Sequence, residues 1–264
     1  MSEVLLSVSN LDVEIEGKQI LHEVNLEIKK GEVHILFGPN GSGKSTLMNT
    51  IIGLERYKIT NGSICYDGKD ITGMLIEERA KLGIGLAFQH PPAISGVTLR
   101  KLVSKASNYD NARIEELAKE FNLTDHLDRP LNKEFSGGEM KRAEIMQMIA
   151  QNPNFLMLDE PESGVDLVNI EMLTKKVSKF LGRNGEKQSE KSALIISHTG
   201  YILNYLDADI GHVIIDGRII GSSNPRDVLE TIKRSGYEEC RNCASKRMHS
   251  VSPVNCDSVH KEKG

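Results

Sequence analysis

Tryptophan is absent from this 264-residue chain, aromatic residues reach only 5 %, and cysteine occurs four times. Four thiols in a chain of this size do not make a disulfide framework. No unbroken apolar run is long enough to cross a bilayer, so direct membrane insertion is not expected. The opening MSEVLLSVSN lacks the basic start and long apolar stretch of a secretion signal, which points to a cytoplasmic location. A strong charge of one sign is also missing. With a net charge of -4 and a pI near 6.1, no nucleic-acid partner is expected, although a local basic groove is not excluded by the total. What is present is globular in balance. Hydrophobic residues at 39 % and charged residues at 27 % supply one large α/β domain, or one domain with a subdomain.

Along the chain, LLSVSNLDVEI and ILHEVNLEI alternate apolar and polar residues as antiparallel strands do. A tight turn at Lys30-Gly31 leads into VHILF, an apolar run that reads as a fully buried strand. NGSICYDGKD, within residues 59–70, reads as a small hairpin, and HVIIDGRIIG reads as another with Asp216-Gly217 at its turn. Residues 91–150 carry helical patterns, including ARIEELAKEFNL and GGEMKRAEIMQMIAQ. Strands return at FLMLDE and SALIISH, with a helical stretch between them. Buried strands alternating with helices predict a mainly parallel sheet covered on both faces. Past Tyr237 the composition turns to Cys, Ser, Lys and Asn, as in a tail.

Three segments carry chemistry. Gly38, Pro39, Asn40, Gly41, Ser42, Gly43, Lys44 and Ser45 fit G-x-x-x-x-G-K-[ST], with Thr46 following, between an apolar strand and a helix. Glycines let the backbone wrap phosphates, and successive N–H groups at the helix start favour an anion. Lys44 adds a positive charge against the β- and γ-phosphates of ATP, and the Ser45 hydroxyl is a ligand for Mg2+. The strand FLMLDE ends in two carboxylates. Asp159 is expected near the metal, and Glu160 is placed to polarise a water that attacks the γ-phosphate. Ser136-Gly137-Gly138-Glu139 opens a helix, and free N–H groups there make a second anion cradle.

At this point the chain resembles the ABC ATPases, whose family motif reads LSGGQ. The resemblance covers about residues 4–236 and implies a P-loop fold with an N-terminal antiparallel β subdomain and a helical subdomain at about 91–150. It implies that residues 136–139 cap the γ-phosphate held by a second copy. Gln89, in GLAFQHPP, resembles the glutamine that reads the metal and γ-phosphate. Ser163-Gly164-Val165-Asp166 resembles the loop that crosses to the partner, and His198 resembles the histidine at the γ-phosphate. Two positions depart from the common pattern. Ile15 stands where an aromatic ring usually stacks on adenine, which leaves apolar contact alone. Glu139 stands where many relatives have glutamine.

A finer resemblance is to the ATPase of the SUF iron–sulfur cluster assembly system, the SufC branch. It lies in whole phrases: GLERYKITNGSICYDGKDI, AFQHPPAISGV, FSGGEMKRAEIMQM, DEPESGVD and HVIIDGRIIGSSNPRDVLE. The branch implies soluble SufB/SufD-type scaffold partners, docked near residues 89–97. The nucleotide-binding subunit of a membrane ABC transporter uses the same motifs and stays as the alternative. A module acting on DNA or ribosomes would call for an insertion, a coiled coil or a second cassette, and the chain has none. In the C-terminal tail, residues 237–264, the spacing of Cys240, Cys243, Cys256 and His260 is close to that of small zinc sites, and Fe would also suit these donors. The segment between them has few apolar residues, which fits a solvated tail with scattered thiols equally well. Cys65 reads as a half-buried structural thiol.

Overall fold

The computed structural model describes residues 3–89, 94–183 and 189–246. Three hairpins use one turn chemistry. β1 (Val4–Ile15) and β2 (Lys18–Lys29) run antiparallel with Ile15 opposite Lys18. Glu16 and Gly17 between them both take positive φ, 51° and 81°. A two-residue loop with both centres left-handed matches the right-handed twist of the strands it joins. Asp67-Gly68 (φ 49° and 75°) closes β4 (Lys58–Tyr66) on β5 (Lys69–Asp70) in the same way. The four strands form an antiparallel sheet of order β2-β1-β4-β5.

The second sheet is the centre of the molecule. Its strands are β3 (Val33–Phe37), β6 (Ile84–Ala87), β9 (Phe155–Asp159), β10 (Ser192–Ile196), β11 (Ile210–Ile215) and β12 (Arg218–Ser223), in the order β12-β11-β3-β10-β9-β6. All neighbours are parallel except β11 and β12, the third hairpin, with Asp216-Gly217 at φ 46° and 73°. The sheet is therefore mainly parallel, as its unbroken apolar runs require. Alternation splits those runs between two cores. Val33, Ile35, Phe37, Leu156, Leu158, Ala193 and Ile195 face one cluster. Leu36, Phe155, Met157, Leu194 and Ile196 face the other, which also holds the inner residues of β1 and β2.

The helices fill the layers around that sheet. α1 (Lys44–Ile52) follows β3 and α2 (Ile76–Lys81) precedes β6. A short pair, β7 (Ile94–Thr98) and β8 (Pro130–Leu131), frames α3 (Leu99–Ala106) and α4 (Asn111–Glu120). α5 (Gly137–Gln151) lies against α3 and α6 (Leu167–Phe180). α7 (Pro225–Lys246) bends at Gly236, whose φ and ψ are 70° and -175°. The expected tail begins just past that break, and the chain is helical again as far as Lys246. Cys65, expected as a free thiol, is instead disulfide-bonded and 7 % exposed. Periodicity and composition carry no mark of such a bond.

Four parallel strands end at one edge. Register places Ile196 beside both Leu36 and Asp159, and Leu158 beside Ala87. The segments after β3, β6, β9 and β10 thus emerge together. In sheets of this type the crevice outside the carboxyl ends is where ligands bind.

Candidate nucleotide site

The loop after β3 is shaped by its glycines. Gly41 and Gly43 have φ of 76° and 103°, and a Cβ on Gly38 would meet Ile214 O at 2.4 Å. Lys44, only 5 % exposed, donates to the carbonyls of Gly38 and Pro39 at 2.9 Å each. Burial lowers its pKa, and the charges of Glu160 and Asp159 act the other way. The loop is also braced from outside, since the Gly217 N–H donates to Ser42 O at 3.0 Å. Thr46 lies in the first turn of α1.

Asp159 and Glu160 follow β9 onto the same edge. Asp159 is 7 % exposed and shares a hydrogen bond with Ser45. Burial raises its pKa, and that hydrogen bond opposes the rise. Its Oδ1 and the Ser42 Oγ are buried with no hydrogen-bond partner. Orphaned oxygens beside a lysine and a ring of loop N–H groups are what a Mg-nucleotide would satisfy, so the residues fit that ligand.

Glu160 turns left-handed, with φ 49°, a conformation rare outside glycine and common at functional sites. Gln89 Nε2 donates to its Oε2 at 2.6 Å, and His198 Nε2 lies 2.5 Å from its Oε1. The structure therefore gathers Lys44, Ser45, Gln89, Asp159, Glu160 and His198 at one edge.

The second cradle is separate. Ser136 caps α5 in a reciprocal box: Ser136 N–H donates to Glu139 Oε2 at 2.7 Å, and Glu139 N–H donates to Ser136 Oγ at 3.3 Å. The bond from the Ser136 N–H holds the Glu139 carboxyl below its usual range, and His126 Nε2 stands 3.3 Å from it. Hydrogen bonds and ion pairs of Ser136 to Glu139 run to one another, to Met140 and to His126, and none reaches residues 38–46 among the described residues. A Cβ on Gly137 would come 3.1 Å from Gly164 O, so this helix start abuts the loop that ends in Asp166. Asp166 caps α6, accepting from the Val168 and Asn169 N–H groups at 3.1 Å.

The motifs did not reveal two further parts of the site. Lys141 and Glu144, 4 % and 5 % exposed, form an ion pair at 3.3 Å on α5. Both clamp the residue before Gln89: Lys141 Nζ donates to Phe88 O, and Phe88 N–H donates to Glu144 Oε1, each at 2.5 Å. Burial pushes the Glu144 carboxyl up. The available signal was two charges three apart among the apolar residues of one helix. The second part is Glu162, treated below. Of the tail residues, Cys256 and His260 lie outside the described residues, and so do the side chains of Cys240 and Cys243. Among the described residues no group of three or more His, Cys, Asp or Glu could hold a metal. No described helix is long and apolar enough to cross a membrane. Part of the expected docking segment, residues 90–93, is likewise outside the description.

A parallel sheet, a phosphate loop opening a helix and acids at the end of β9 on the same edge define a P-loop nucleotide-hydrolysing cassette. The chain belongs to the ABC transporter family: the family model described as "ABC transporter" matches residues 21–163. The Bacillus subtilis (strain 168) vegetative protein 296 is 39 % identical over 251 residues, covering 90 % of this chain and 94 % of that one. A probable ATP-dependent transporter of Synechocystis is 40 % identical over 254 residues, 90 % of this chain and 96 % of its own length. A crystal structure of a nucleotide-free ATP-binding cassette from an ABC transporter superposes with TM-score 0.72 at 25 % identity, over 90 % of this chain and 98 % of that one. The protein is thus an ATP-binding ABC-type ATPase with the ABC ATPase fold.

Proposed function

We propose that the chain is the ATP-hydrolysing subunit of a soluble SUF-type iron–sulfur cluster assembly complex. In this reading two copies pair around two nucleotides and deform a SufB/SufD-type scaffold. The observation that carries the hydrolytic part is Glu160, held on one oxygen by Gln89 and on the other by His198. Residues 38–46 bind the phosphates. Lys44 exchanges its two loop carbonyls for phosphate oxygens, so its charge is already in place. Ser45, Asp159 and Gln89 would hold Mg2+, which when bound neutralises charge developing on the transferred phosphoryl group. Glu160 accepts a hydrogen bond from the attacking water, and His198 orients Glu160. The Gly137 and Gly138 N–H groups in the first turn of α5 have no intrahelical partners. They cap the γ-phosphate of the opposite copy, with Asp166 on the crossing loop. Cluster assembly is favoured over other branches by the phrases around Glu139, the Ser163–Asp166 loop and Ile15.

The names of the Synechocystis relative and of a Streptococcus pyogenes relative, a probable ABC transporter ATP-binding protein 38 % identical over 246 residues, contain the word transporter, and the transporter alternative stands beside this reading. An affinity pull-down of the tagged protein from its native lysate, with proteomics and an ATPase assay of the eluate, separates the two. A soluble β-rich scaffold recovered with raised ATPase activity is the expected result. A polytopic membrane protein in its place would overturn the assembly reading and leave the ATP chemistry standing.

A further inference from the structure

Glu162 lies two residues beyond Glu160, in the loop leading to α6, and only 9 % of it is exposed. Its Oε1 accepts hydrogen bonds from the hydroxyls of Ser197 and Thr199, the latter at 3.1 Å. Those two residues bracket His198. The Ser197 hydroxyl also accepts from the Gly200 N–H at 2.8 Å, which closes the turn on which His198 sits. Glu162 Oε2 is buried with no hydrogen-bond partner. Burial raises the pKa of the carboxyl, and the two hydroxyls oppose the rise.

A buried carboxyl with an oxygen that no protein group meets is costly for the folded state. Such local costs are kept where a site needs the geometry they enforce. Here the geometry is a closed circuit. Glu160 meets His198 at 2.5 Å, the neighbours of His198 donate to Glu162, and Glu162 is joined to Glu160 through Pro161. The turn of residues 197–200 and the loop of residues 160–166 are fastened into one body.

We propose that Glu162 is a positioning residue for hydrolysis, holding the Ser197–Gly200 turn so that His198 stays on Glu160. The proposal rests on the roles given to Glu160 and His198 above. It assigns the carboxylate no contact with nucleotide. It also means that whatever displaces the 160–166 loop displaces His198 with it, so the site is set by the loop that faces the second copy.

The test is a double-mutant cycle read in steady-state ATPase kinetics, with Glu162→Ala, His198→Ala and the double variant. Glu162→Ala should lower kcat on the order of ten-fold or more, the scale of a misplaced catalytic group. KM for Mg-ATP should change little, because residues 38–46 are untouched. The double variant should be no slower than His198→Ala alone, since Glu162 acts only through that ring. Glu162→Gln keeps one oxygen able to accept both hydroxyls and should recover most of kcat. Wild-type kcat in Glu162→Ala, losses that multiply in the double variant, or a Gln variant as slow as the Ala variant would each overturn the proposal. Should Glu162→Ala fail to fold, Ser197→Ala with Thr199→Val enters the same cycle, with the same two outcomes. His198→Ala with wild-type kcat would sink the reading of His198 itself, a result distinct from multiplied losses.

Discussion

His34 and His212 form a polar chain buried at the far side of β3 and β11. His34 Nδ1 lies 2.8 Å from His212 Nε2, His34 Nε2 lies 3.1 Å from Glu32 Oε2, and His212 Nδ1 lies 2.7 Å from Ser222 Oγ. Starting from Glu32 as acceptor, one tautomer set satisfies every atom: His34 Nε2–H donates to Glu32, His212 Nε2–H to His34, and Ser222 to His212. Both rings are then neutral. Burial pushes His212 down to about 3 and also lowers His34, while Glu32 and Asp209 pull His34 the other way. A histidine whose folded pKa is depressed stabilises the fold above its unfolded pKa. That stability is lost as pH falls from about 6.5 toward the folded value. For His212 the loss between pH 6.5 and 5 is about 2 kcal/mol, at 1.36 kcal/mol per pH unit. Glu144, Asp159 and Glu162 have raised pKa values and act in the opposite direction. Urea unfolding of wild type and His212→Gln at pH 7 and pH 5 separates the contributions. The wild type should lose about 2 kcal/mol more than the variant over that span; equal losses would show that His212 is not held neutral. Legibility at this scale follows locality. Lys44, Asp159 and Glu160 announce themselves because loop, strand and acid are adjacent in sequence. Glu162, Lys141 and Glu144 do not, because a carboxyl becomes a clamp only once burial and a distant partner make it one.

Among the elements, the two Asp-Gly hairpins were the most readable, since that pair favours the left-handed backbone a two-residue turn needs. The β11–β12 hairpin does more than reverse the chain. Gly217 N–H donates to Ser42 O in the phosphate loop, and its carbonyl accepts from the His22 N–H at 2.9 Å. A Cβ there would lie 2.0 Å from Ile20 O, at a φ of 73°. Gly217→Ala should therefore cost about 1–3 kcal/mol in stability, the range for strained backbone. Because the displaced hairpin carries the brace on Ser42, ATP affinity should fall as well. Thermal unfolding and nucleotide titration check the two effects; an unchanged affinity in a destabilised variant would show that the brace does not set the loop. The continuation of α7 past Gly236 was not readable, because its last turns are polar and carry little of the apolar stripe that marks a helix. The disulfide at Cys65 was hidden as well, because periodicity and composition carry no mark of one.

For the whole molecule, the parallel sheet and its ligand edge followed from strand hydrophobicity, whereas pairing rests on a contrast within one chain. Residues 38–46 and the segment Ser136–Glu139 are the two anion sites proposed above, yet no hydrogen bond or ion pair joins them among the described residues. One nucleotide cannot use both within a single copy if they stay apart. Two copies arranged head to tail would each lend the cradle to the other's γ-phosphate, with the exposed Leu167 and Val168 beside Asp166 covered in the process. Glu160→Gln isolates this step. It removes the carboxylate proposed to activate water but keeps an oxygen for Gln89, and it alters neither proposed anion site. Hydrolysis should fall by at least about a hundred-fold, as for loss of a general base. ATP then stays intact, and the pair should persist through size-exclusion chromatography with Mg-ATP, whereas ADP leaves a monomer. The second experiment in the same series replaces Ser136 with Arg in the Glu160→Gln background, which fills the cradle. That variant should still bind ATP through residues 38–46 but should no longer pair. A Glu160→Gln chain that stays monomeric at saturating Mg-ATP, or pairing that survives the blocked cradle, would show that the two anion sites do not meet across a shared nucleotide.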